Sequence, residues 1–590
     1  MCGIAGEIAF RGQRPDGMAL ERMVETLKPR GPDGSGTLVR GPVALGHRRL
    51  RIIDPSDRSA QPMADEALGL SVVYNGAIYN YPDLRRRLEA EGHRFVSEGD
   101  TEVLLRGYAA WGEDVVQHLE GMFAFAVVDH RRNRVVLARD RLGIKPLYVA
   151  STGKGVRFAS TLPALVAAGG VDTTIDPVAL HHYLSFHSVV PAPRTILRGV
   201  KKVKPGCVCV YGFDGLVSER SFFDLTYSHG AEDSVSPEEW EARVEDALVT
   251  AARRRLVADV PVGVLLSGGL DSSLIVALLS KLGQSGLNTF SIGFESEGGE
   301  EGNEFFYSDR VAEEFGTRHH RISVSSSELL AALEPSIAAM SEPMVSHDNV
   351  GFFLLSAEVA RHVKVVQSGQ GADEVFAGYH WYPPLRDAGV DPVATYRRHF
   401  FDRDDEEIAA LVEPELHTSG ASAEFVREQF ARAEAEHPLH KALRLDTTVM
   451  LVEDPVKRVD NMTMAHGLEA RVPFLDSDVV QLAARVPPEL LLEQGGKGVL
   501  KRVARRLLPS EVIDRPKGYF PVPALKHLRG PFLSRVRGVL SDSRARQRGL
   551  FRKDMLSRIV ERPSDELTPL GGSKLWQVAL LEDWLQVQGL

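Results

Sequence analysis

A cysteine at the second position is the first feature of this sequence that could do chemistry. The chain starts Met1-Cys2-Gly3, and if the initiator methionine is removed, Cys2 carries a free α-amine beside its thiol. A terminal amine and a thiol have ordinary pKa values of about 8 and about 8.5, so the two groups can share a proton near neutral pH. Cys2 is therefore a candidate nucleophile with its own base, although second-position cysteines are usually incidental.

A turn rich in glycine and serine is the second candidate. It reads Ser267-Gly268-Gly269-Leu270-Asp271-Ser272-Ser273 and follows an apolar stretch. Glycines let backbone N–H groups approach an anion closely, and the helix that follows points its positive end at that anion. The turn predicts a phosphate-binding site, but it lacks the Gly-Lys-Ser/Thr of the Walker pattern. An ordinary strand-to-helix turn capped by Asp271 is the alternative, and it accounts poorly for two glycines and three serines together.

A second glycine turn repeats this arrangement. An apolar stretch at residues 363–366 runs into Ser368-Gly369-Gln370-Gly371-Ala372-Asp373-Glu374. Mg²⁺ prefers one or two carboxylates together with phosphate and water oxygens, so one acid from each turn could hold it against a nucleotide. We predict Asp271 and Asp373 as these ligands. The alternative is that Asp373 and Glu374 only cap a helix.

The elements that must position these residues divide the chain into three regions. Residues 2–210 show short alternating strands, which predict a sheet-rich domain. Residues 211–237 are polar and rich in turn formers, which predicts a linker. Helical patterns dominate residues 238–590. A buried strand at 260–266, the first glycine turn and a helix at 274–282 predict a parallel α/β sheet there.

Composition and charge exclude several classes of protein. The 590 residues are 43% hydrophobic and 25% charged, which is typical of a soluble globular protein of two or more domains. No apolar run is long enough for a membrane span and the start has no signal-peptide pattern, so we expect a cytoplasmic protein with no membrane partner. A net charge of −10 without a basic stripe argues against nucleic acid. Three cysteines cannot form a disulfide framework, and Cys207 and Cys209 are predicted to be buried strand residues.

Further motifs give the chain a resemblance to a known family. Its beginning is similar to the glutaminase domain of class II glutamine amidotransferases, and its later motifs are similar to the asparagine synthetase family. The resemblance covers nearly the whole chain in family order. Besides the two glycine turns, its motifs are Arg30-Gly31-Pro32-Asp33, His47-Arg48-Arg49-Leu50, Tyr74-Asn75-Gly76, Gly99-Asp100-Thr101-Glu102, Arg139-Asp140-Arg141-Leu142-Gly143-Ile144-Lys145-Pro146-Leu147-Tyr148 and Gly467-Leu468-Glu469-Ala470-Arg471-Val472-Pro473-Phe474-Leu475-Asp476.

The resemblance implies a fold, cofactors and substrates. It implies an α/β protein with an α+β N-terminal part: an N-terminal-nucleophile αββα glutaminase domain over residues 2–210, then a synthetase domain over 238–590. The second domain would be a parallel-sheet α/β unit of the ATP-pyrophosphatase type with added helices. ATP and Mg²⁺ are the implied cofactors, and glutamine and a small carboxylate acceptor the implied partners. The oligomeric state stays open, with a homodimer as one option.

In the first domain, the resemblance implies a glutamine-hydrolysing site. Cys2 would attack the side-chain amide of glutamine, and Asn75 with the N–H of Gly76 would form the oxyanion hole. Arg49 would bind the α-carboxylate and Asp100 the α-ammonium. An alternative for Asn75-Gly76 is a tight hairpin turn, which favours this dipeptide. The glutamine-binding positions implied are Arg49, Ile53, Asn75, Gly76 and Asp100; Ala77 departs from the acid that the family commonly has.

In the second domain, the resemblance implies activation of a carboxylate by ATP as an acyl-adenylate. Lys497 matches the family lysine that stabilises charge during acyl transfer, whereas its spacing alone favours a surface lysine. The ATP-binding positions implied are Leu265, Ser267, Gly268, Gly269, Asp271, Ser272, Ile292, Ser368 and Gly369.

Gln370 is the informative departure from the family pattern. Asparagine synthetases usually have glutamate between the two glycines of this turn, where a carboxylate can take a proton from the incoming nitrogen; an amide cannot do so. The segment at residues 341–349 also differs from the stretch expected to hold aspartate, and it is considered with residues 185–193 and 380–384. Together they look most like the N-acetylglutaminylglutamine amidotransferase branch, which amidates the C-terminal carboxylate of an acetylated dipeptide.

Three other functions are kept as alternatives. Aspartate as the acceptor would make the chain an asparagine synthetase. A β-lactam-forming synthetase shares the adenylating domain but normally lacks the terminal cysteine, so the presence of Cys2 counts against it. A degenerate scaffold or regulator is expected to have lost Cys2 or one phosphate motif, and both are retained.

Overall fold

The structure is a computed structural model that carries side chains. It describes residues 2–228, 235–296, 302–387, 389–515, 522, 525, 528–563 and 567–590. Part of the predicted linker, residues 229–234, lies outside the described residues.

The strands of the described chain fall into three sheets. In chain order they are β1 (Gly3–Ala9), β2 (Gly34–Arg40), β3 (Val43–Arg49), β4 (Met63–Asp65), β5 (Leu70–Ile78), β6 (Gly121–Asp129), β7 (Arg134–Arg139), β8 (Tyr148–Thr152), β9 (Gly155–Ala159), β10 (Val200–Lys202), β11 (Cys207–Gly212), β12 (Gly215–Ser221), β13 (Val262–Leu265), β14 (Asn288–Phe294), β15 (Arg318–Val324), β16 (Val365–Gln367) and β17 (Glu469–Arg471).

The α-helices lie outside these sheets. In chain order they are α1 (Gly17–Thr26), α2 (Tyr81–Ala90), α3 (Asp100–Trp111), α4 (Val115–His118), α5 (Leu162–Ala168), α6 (Pro177–Ser185), α7 (Pro237–Arg254), α8 (Leu270–Lys281), α9 (Phe305–Glu314), α10 (Ser326–Ala339), α11 (Asp348–Val359), α12 (Ala372–Val375), α13 (Pro392–Phe400), α14 (Asp405–Leu411), α15 (Ala421–Phe430), α16 (Pro438–Leu445), α17 (Lys457–Met464), α18 (Ser477–Ala483), α19 (Pro488–Leu491), α20 (Gly498–Ala504), α21 (Ser510–Ile513), α22 (Gly530–Ser541), α23 (Ser543–Arg548), α24 (Lys553–Glu561) and α25 (Lys574–Val587).

The N-terminal part is a four-layer stack of helices and two antiparallel sheets. One sheet has the order β10-β8-β9-β1-β3-β2 and the other β12-β11-β7-β6-β5-β4. Apolar residues such as Ile4 and Leu45 of the first sheet pack against Val73 and Leu137 of the second. Helices α2 and α3 cover the outer face of the second sheet, and α1, α5 and α6 cover the first. The predicted αββα fold is therefore confirmed.

The C-terminal part is built on a parallel sheet with the order β15-β14-β13-β16-β17. Its first helix, α7, starts where predicted, because the Ser236 hydroxyl accepts the N–H of Glu239 and Pro237 occupies the first turn. Strand β13 runs through the first glycine turn into α8, and β16 runs through the second turn into α12. The parallel α/β sheet is confirmed, and it brings the two turns to neighbouring strand ends.

Buried contacts hold the two parts together. One apolar cluster joins residues of the first part, such as Tyr79 and Met122, to the helices of the second. Buried charges cross the same boundary: Arg30 and Lys145 both bind Asp460, at 2.8 and 3.1 Å. The predicted linker includes β12, which pairs with β11 at the edge of the second sheet; the limits of the two domains stay a prediction. Among the described residues, no helix combines the length and the apolar character that crossing a membrane requires.

Candidate active site

Cys2 lies immediately before β1 and is nearly buried, with 8% of its surface exposed. Its backbone N–H donates to Oδ1 of Asn75 at 3.0 Å. This bond fixes the orientation of the Asn75 amide, because the oxygen is used by Cys2 and Nδ2 is left as the donor. Nδ2 of Asn75 is buried and has no hydrogen-bond partner among the described residues. A buried amide donor with no partner is what an oxyanion would use.

Gly76 follows Asn75 inside β5, where it pairs with Phe123 of β6. The hairpin-turn alternative for Asn75-Gly76 is therefore wrong, since both residues belong to one continuous strand. A Cβ at Gly76 would lie 2.1 Å from the carbonyl oxygen of Met122. The position therefore excludes every side chain, which explains the glycine without a turn.

Arg49 and Asp100 lie in the same pocket as Cys2. Arg49 ends β3, and its guanidinium donates to the carbonyl oxygens of Ser56, at 2.7 Å, and Asp54. Asp100 begins α3, and its Oδ2 accepts the Tyr74 hydroxyl at 2.9 Å. The residues that line this pocket are Cys2, Arg49, Leu50, Ile52, Ile53, Ser59, Gln61, Tyr74, Gly76, Ala77, Asp100, Thr101, Glu469 and Arg471. The structure thus brings the predicted glutamine-binding residues Arg49, Ile53, Gly76 and Asp100 together around the thiol.

Burial controls the protonation of this pocket. It raises the pKa of the Cys2 thiol, although the N–H of Leu50 and the charge of Arg49 act in the opposite direction. It also raises the pKa of Asp100 to about 6, in spite of the hydrogen bonds from Ile78 and Tyr74. A buried thiol needs a neighbouring base to become a nucleophile at neutral pH.

The first glycine turn has the conformation that the prediction of an anion-binding loop requires. Gly268 has φ = +75°, and a Cβ there would lie 2.5 Å from the backbone nitrogen of Ser308. The Ser267 hydroxyl accepts the N–H of Gly269 at 3.2 Å and lies 3.1 Å from the Ser272 hydroxyl. Helix α8 starts directly after Gly269, so its free N–H groups face the loop.

The second glycine turn packs against the first. A Cβ at Gly369 would lie 3.0 Å from the Cβ of Asp271 and 3.0 Å from the backbone nitrogen of Ser272. Leu265 at the end of β13 is buried, and the half-buried Ile292 lies on the adjacent strand β14. The nine positions predicted for ATP therefore belong to two touching turns and two neighbouring strands.

Lys497 connects the acids of the two turns. Its Nζ lies 2.7 Å from Oδ2 of Asp271 and 2.9 Å from Oδ1 of Asp373. It is only 8% exposed, so the surface-lysine alternative is wrong. Burial alone would lower the pKa of Lys497, but the two carboxylates outweigh this and hold it above its usual range. The two acids face one cation, which is the arrangement that a shared metal ion also requires.

Two of the stretches singled out in the sequence contact each other. The N–H of Val345 donates to the Ser188 hydroxyl at 3.2 Å, which joins residues 341–349 to 185–193. Asp348 accepts from Arg458 on α17 at 2.8 Å. Gln370 itself is half-buried at the second glycine turn.

The same region holds a buried acid. Glu374 is next to Asp373 in the chain and accepts the Tyr379 hydroxyl at 2.6 Å. Tyr379 in turn stacks on Trp381, with 4.1 Å between the ring centroids. Trp381 and Tyr382 of the 380–384 stretch donate instead to a second buried acid, Asp446, at 3.1 and 2.6 Å.

Sequence reasoning missed two charged residues of the Cys2 pocket. Glu469 and Arg471 belong to β17 of the second domain, yet they line the pocket of the first. The motif that contains them contributed to the resemblance, but nothing in its spacing links it to Cys2.

The fold and the site define a class of protein: a glutamine amidotransferase with an N-terminal-nucleophile glutaminase domain and its own synthetase domain. Models of known families agree. The glutamine amidotransferase domain matches residues 1–223, and asparagine synthase matches residues 243–586.

Curated relatives give the same result along nearly the whole chain. Asparagine synthetase [glutamine-hydrolyzing] 3 of Bacillus subtilis is 31% identical, over 88% of this chain and 87% of its own. Asparagine synthetase [glutamine-hydrolyzing] 1 of the same organism is 30% identical, over 99% of this chain and 96% of its own. A putative asparagine synthetase [glutamine-hydrolyzing] of Mycobacterium bovis is 34% identical, over 90% of this chain and 88% of its own. The chain belongs to the asparagine synthetase family of class II glutamine amidotransferases, whose members are ligases that form C–N bonds and use ATP.

Proposed function

We propose that this protein releases ammonia from glutamine at Cys2 and uses it to amidate a carboxylate that ATP has activated. The acceptor we propose is the C-terminal carboxylate of N-acetylglutaminylglutamine. One observation supports the coupled reaction above all others: a complete Cys2 pocket and a complete Lys497 cluster occur in one chain, and buried ion pairs such as Arg30–Asp460 join the domains that carry them.

In the glutaminase half, the Cys2 sulfur attacks the side-chain amide carbon of glutamine. The thiol proton passes to the terminal amine and then to the departing nitrogen, which leaves as ammonia. Nδ2 of Asn75 and the N–H of Gly76 stabilise the negative charge on the tetrahedral intermediate. Water then releases glutamate from the thioester.

In the synthetase half, the acceptor carboxylate attacks the α-phosphorus of ATP, and pyrophosphate leaves. Ser267, Gly269 and Ser272 hold the phosphates through backbone and hydroxyl donors. Lys497 stabilises the charge that develops during adenylation and during attack by ammonia. Asp271 and Asp373 suit Mg²⁺, which when bound would neutralise phosphate charge.

Two observations bear on the acceptor, and they point in different directions. The amide of Gln370 cannot serve as the base that the family glutamate provides, which supports the acetylated dipeptide. Relatives of 30 to 34% identity carry the name asparagine synthetase, which supports aspartate as the second candidate. A mass-spectrometric assay separates them: the protein is supplied with glutamine, ATP, Mg²⁺ and either aspartate or the dipeptide. Amide gain by the dipeptide supports the proposal, and amide gain by aspartate alone contradicts it.

The affinity for glutamine is expected to fall when the pH is lowered through about 6. The pKa of Asp100 is about 6, and only the ionised carboxylate attracts the α-ammonium of glutamine. Affinity is therefore fully present above that pH and weakens by up to about tenfold per unit below it. Calorimetric titration of glutamine into the Cys2→Ala protein measures this without hydrolysis.

The control for this titration is Asp100→Asn, which is expected to bind glutamine weakly at every pH. An unchanged dissociation constant for Cys2→Ala between about pH 7 and about pH 5 would exclude Asp100 as the titrating group.

Gly378→Ala is expected to lower amide formation by about 100-fold while glutamine hydrolysis stays unchanged. A Cβ at Gly378 would lie 2.1 Å from Oδ1 of Asp373 and 2.3 Å from Cε of Lys497, so the ion pair must open. Gly389→Ala is the matched control, because a Cβ at Gly389 would meet no atom within 4 Å. Equal rates of amide formation in Gly378→Ala and Gly389→Ala would refute a role for the cluster of Lys497, Asp271 and Asp373.

A further inference from the structure

The pocket that contains Cys2 is completed by the other domain. Two of its lining residues, Glu469 and Arg471, come from β17, one of the two edge strands of the parallel sheet. Glu469 is 1% exposed and Arg471 is fully buried. A carboxylate and a guanidinium so deeply buried are costly unless they are paired and bound to further groups.

Arg471 holds Glu469 in place. Its Nε donates to Oε1 of Glu469 at 2.5 Å, and its Nη1 donates to the carbonyl oxygens of Arg255 and Val257 at 2.9 and 2.7 Å. The guanidinium also lies 5.6 Å from the centre of the Tyr79 ring. Its Nη2 is buried and has no hydrogen-bond partner among the described residues. Arg471 is therefore held by Glu469 and by two backbone carbonyl oxygens. Its Nη2 is a hydrogen-bond donor that none of these contacts uses.

A purely structural role would be the simpler explanation, since buried ion pairs also occur elsewhere in the protein. Arg157 binds Glu7 at 2.8 Å, and both side chains are buried. That pair does not line the Cys2 pocket, whereas Glu469 and Arg471 do. Domain contact is also already provided by Arg30, Lys145 and Asp460.

The charges of glutamine suit such a pocket. Its α-carboxylate needs a cation and its α-ammonium needs an anion. Oδ2 of Asp100 is already occupied by the Tyr74 hydroxyl and the N–H of Ile78. Glu469 is close enough to Asp100 and to the Cys2 thiol for its charge to raise the pKa of both. Burial would raise the pKa of Glu469, but nearby positive charges, among them that of Arg471, lower it to about 2, so this carboxylate is ionised in the pocket.

We propose that Glu469 is a glutamine-binding residue: together with Asp100 it binds the α-ammonium of glutamine, and Arg471 positions it. This rests on the proposed hydrolysis of glutamine at Cys2. The glutamine site is then shared between the domains.

The strand that presents Glu469 also contacts the nucleotide turn. The carbonyl oxygen of Arg471 accepts the N–H of Ser368 at 2.9 Å, and β17 pairs with β16 along its length. The glutamine site and the second glycine turn are therefore attached to the same short strand. A shift of that strand would alter both sites at once.

Glu469→Gln in the full-length protein tests the proposal, with steady-state glutamine hydrolysis as the assay. The change keeps the shape of the side chain and removes its charge. We expect the KM for glutamine to rise by at least about tenfold while kcat stays within about twofold, because ground-state binding is lost and the nucleophile is untouched. Glu469→Asp keeps the charge and is expected to give a smaller rise in KM.

Glu7→Gln is the matched control, because it breaks a buried carboxylate–arginine pair outside the pocket. Its KM is expected to equal that of the wild type. An unchanged KM for glutamine in Glu469→Gln would overturn the proposal. So would equal losses of thermal stability and of kcat in Glu469→Gln and Glu7→Gln with no difference in KM between them. If Glu469→Gln does not fold, Glu469→Asp decides, and an unchanged KM there overturns it. Failure of the wild type to hydrolyse glutamine would instead refute the proposed function.

Discussion

Cys2→Ala is expected to abolish glutamine-dependent amide formation and to leave amide formation from added ammonia intact. The sulfur is the only proposed nucleophile of the glutaminase half, so its removal should lower the glutamine-dependent rate by at least about 1,000-fold. Ammonia enters the second half-reaction directly and bypasses the missing sulfur. Product formation at saturating ATP and acceptor, with either glutamine or an ammonium salt, measures both rates.

Cys207→Ala provides the control for this experiment. Cys207 is also buried, with 5% exposure, but it lies on β11 away from the pocket. It should retain both activities within about twofold, as most small changes outside a site do. Full glutamine-dependent turnover in Cys2→Ala would rule out Cys2 as the nucleophile.

Asp271→Asn is expected to abolish amide formation from both nitrogen sources. Asp271 is one of the two carboxylates bound to Lys497, and the substitution removes a charge from the proposed phosphate site and one of the two groups that position the lysine. The acceptor-dependent exchange of labelled pyrophosphate into ATP should fall by about 100-fold or more. This exchange reports adenylation alone, because it needs neither glutamine nor ammonia.

The control for Asp271→Asn is Asp246→Asn, at an exposed position of α7. It removes the same charge from the same domain and should leave the exchange unchanged. Pyrophosphate exchange at the wild-type rate in Asp271→Asn would contradict the assignment of the nucleotide site.

Local sequence patterns were sufficient to predict the two glycine turns. Each turn is a continuous stretch with its glycines, hydroxyls and acid in order, and each follows an apolar strand. Parallel neighbours place such turns side by side, so the proximity of Asp271 and Asp373 followed from the predicted sheet. Lys497 lies far from both in the sequence, and only the resemblance pointed to it.

Other parts of the site could not be predicted because they depend on tertiary contacts. Asn75-Gly76 has the composition of a hairpin turn, but the close approach of Met122 explains the glycine inside β5. Glu469 and Arg471 belong to a motif of the second domain, and only the packing of the two domains places them beside Cys2. Periodicity and turn signals carry no information on contacts of that range.

Transfer of nitrogen from glutamine to the acceptor is the most direct test of the central claim. The protein is supplied with glutamine labelled with ¹⁵N in its side-chain amide, unlabelled ammonium in the buffer, ATP and the acetylated dipeptide or aspartate. We predict that the product amide carries the label with little dilution and that one AMP and one pyrophosphate form per amide. Product labelled only to the level of the mixed ammonium pool, or ADP and phosphate in place of AMP and pyrophosphate, would contradict coupled hydrolysis and adenylation.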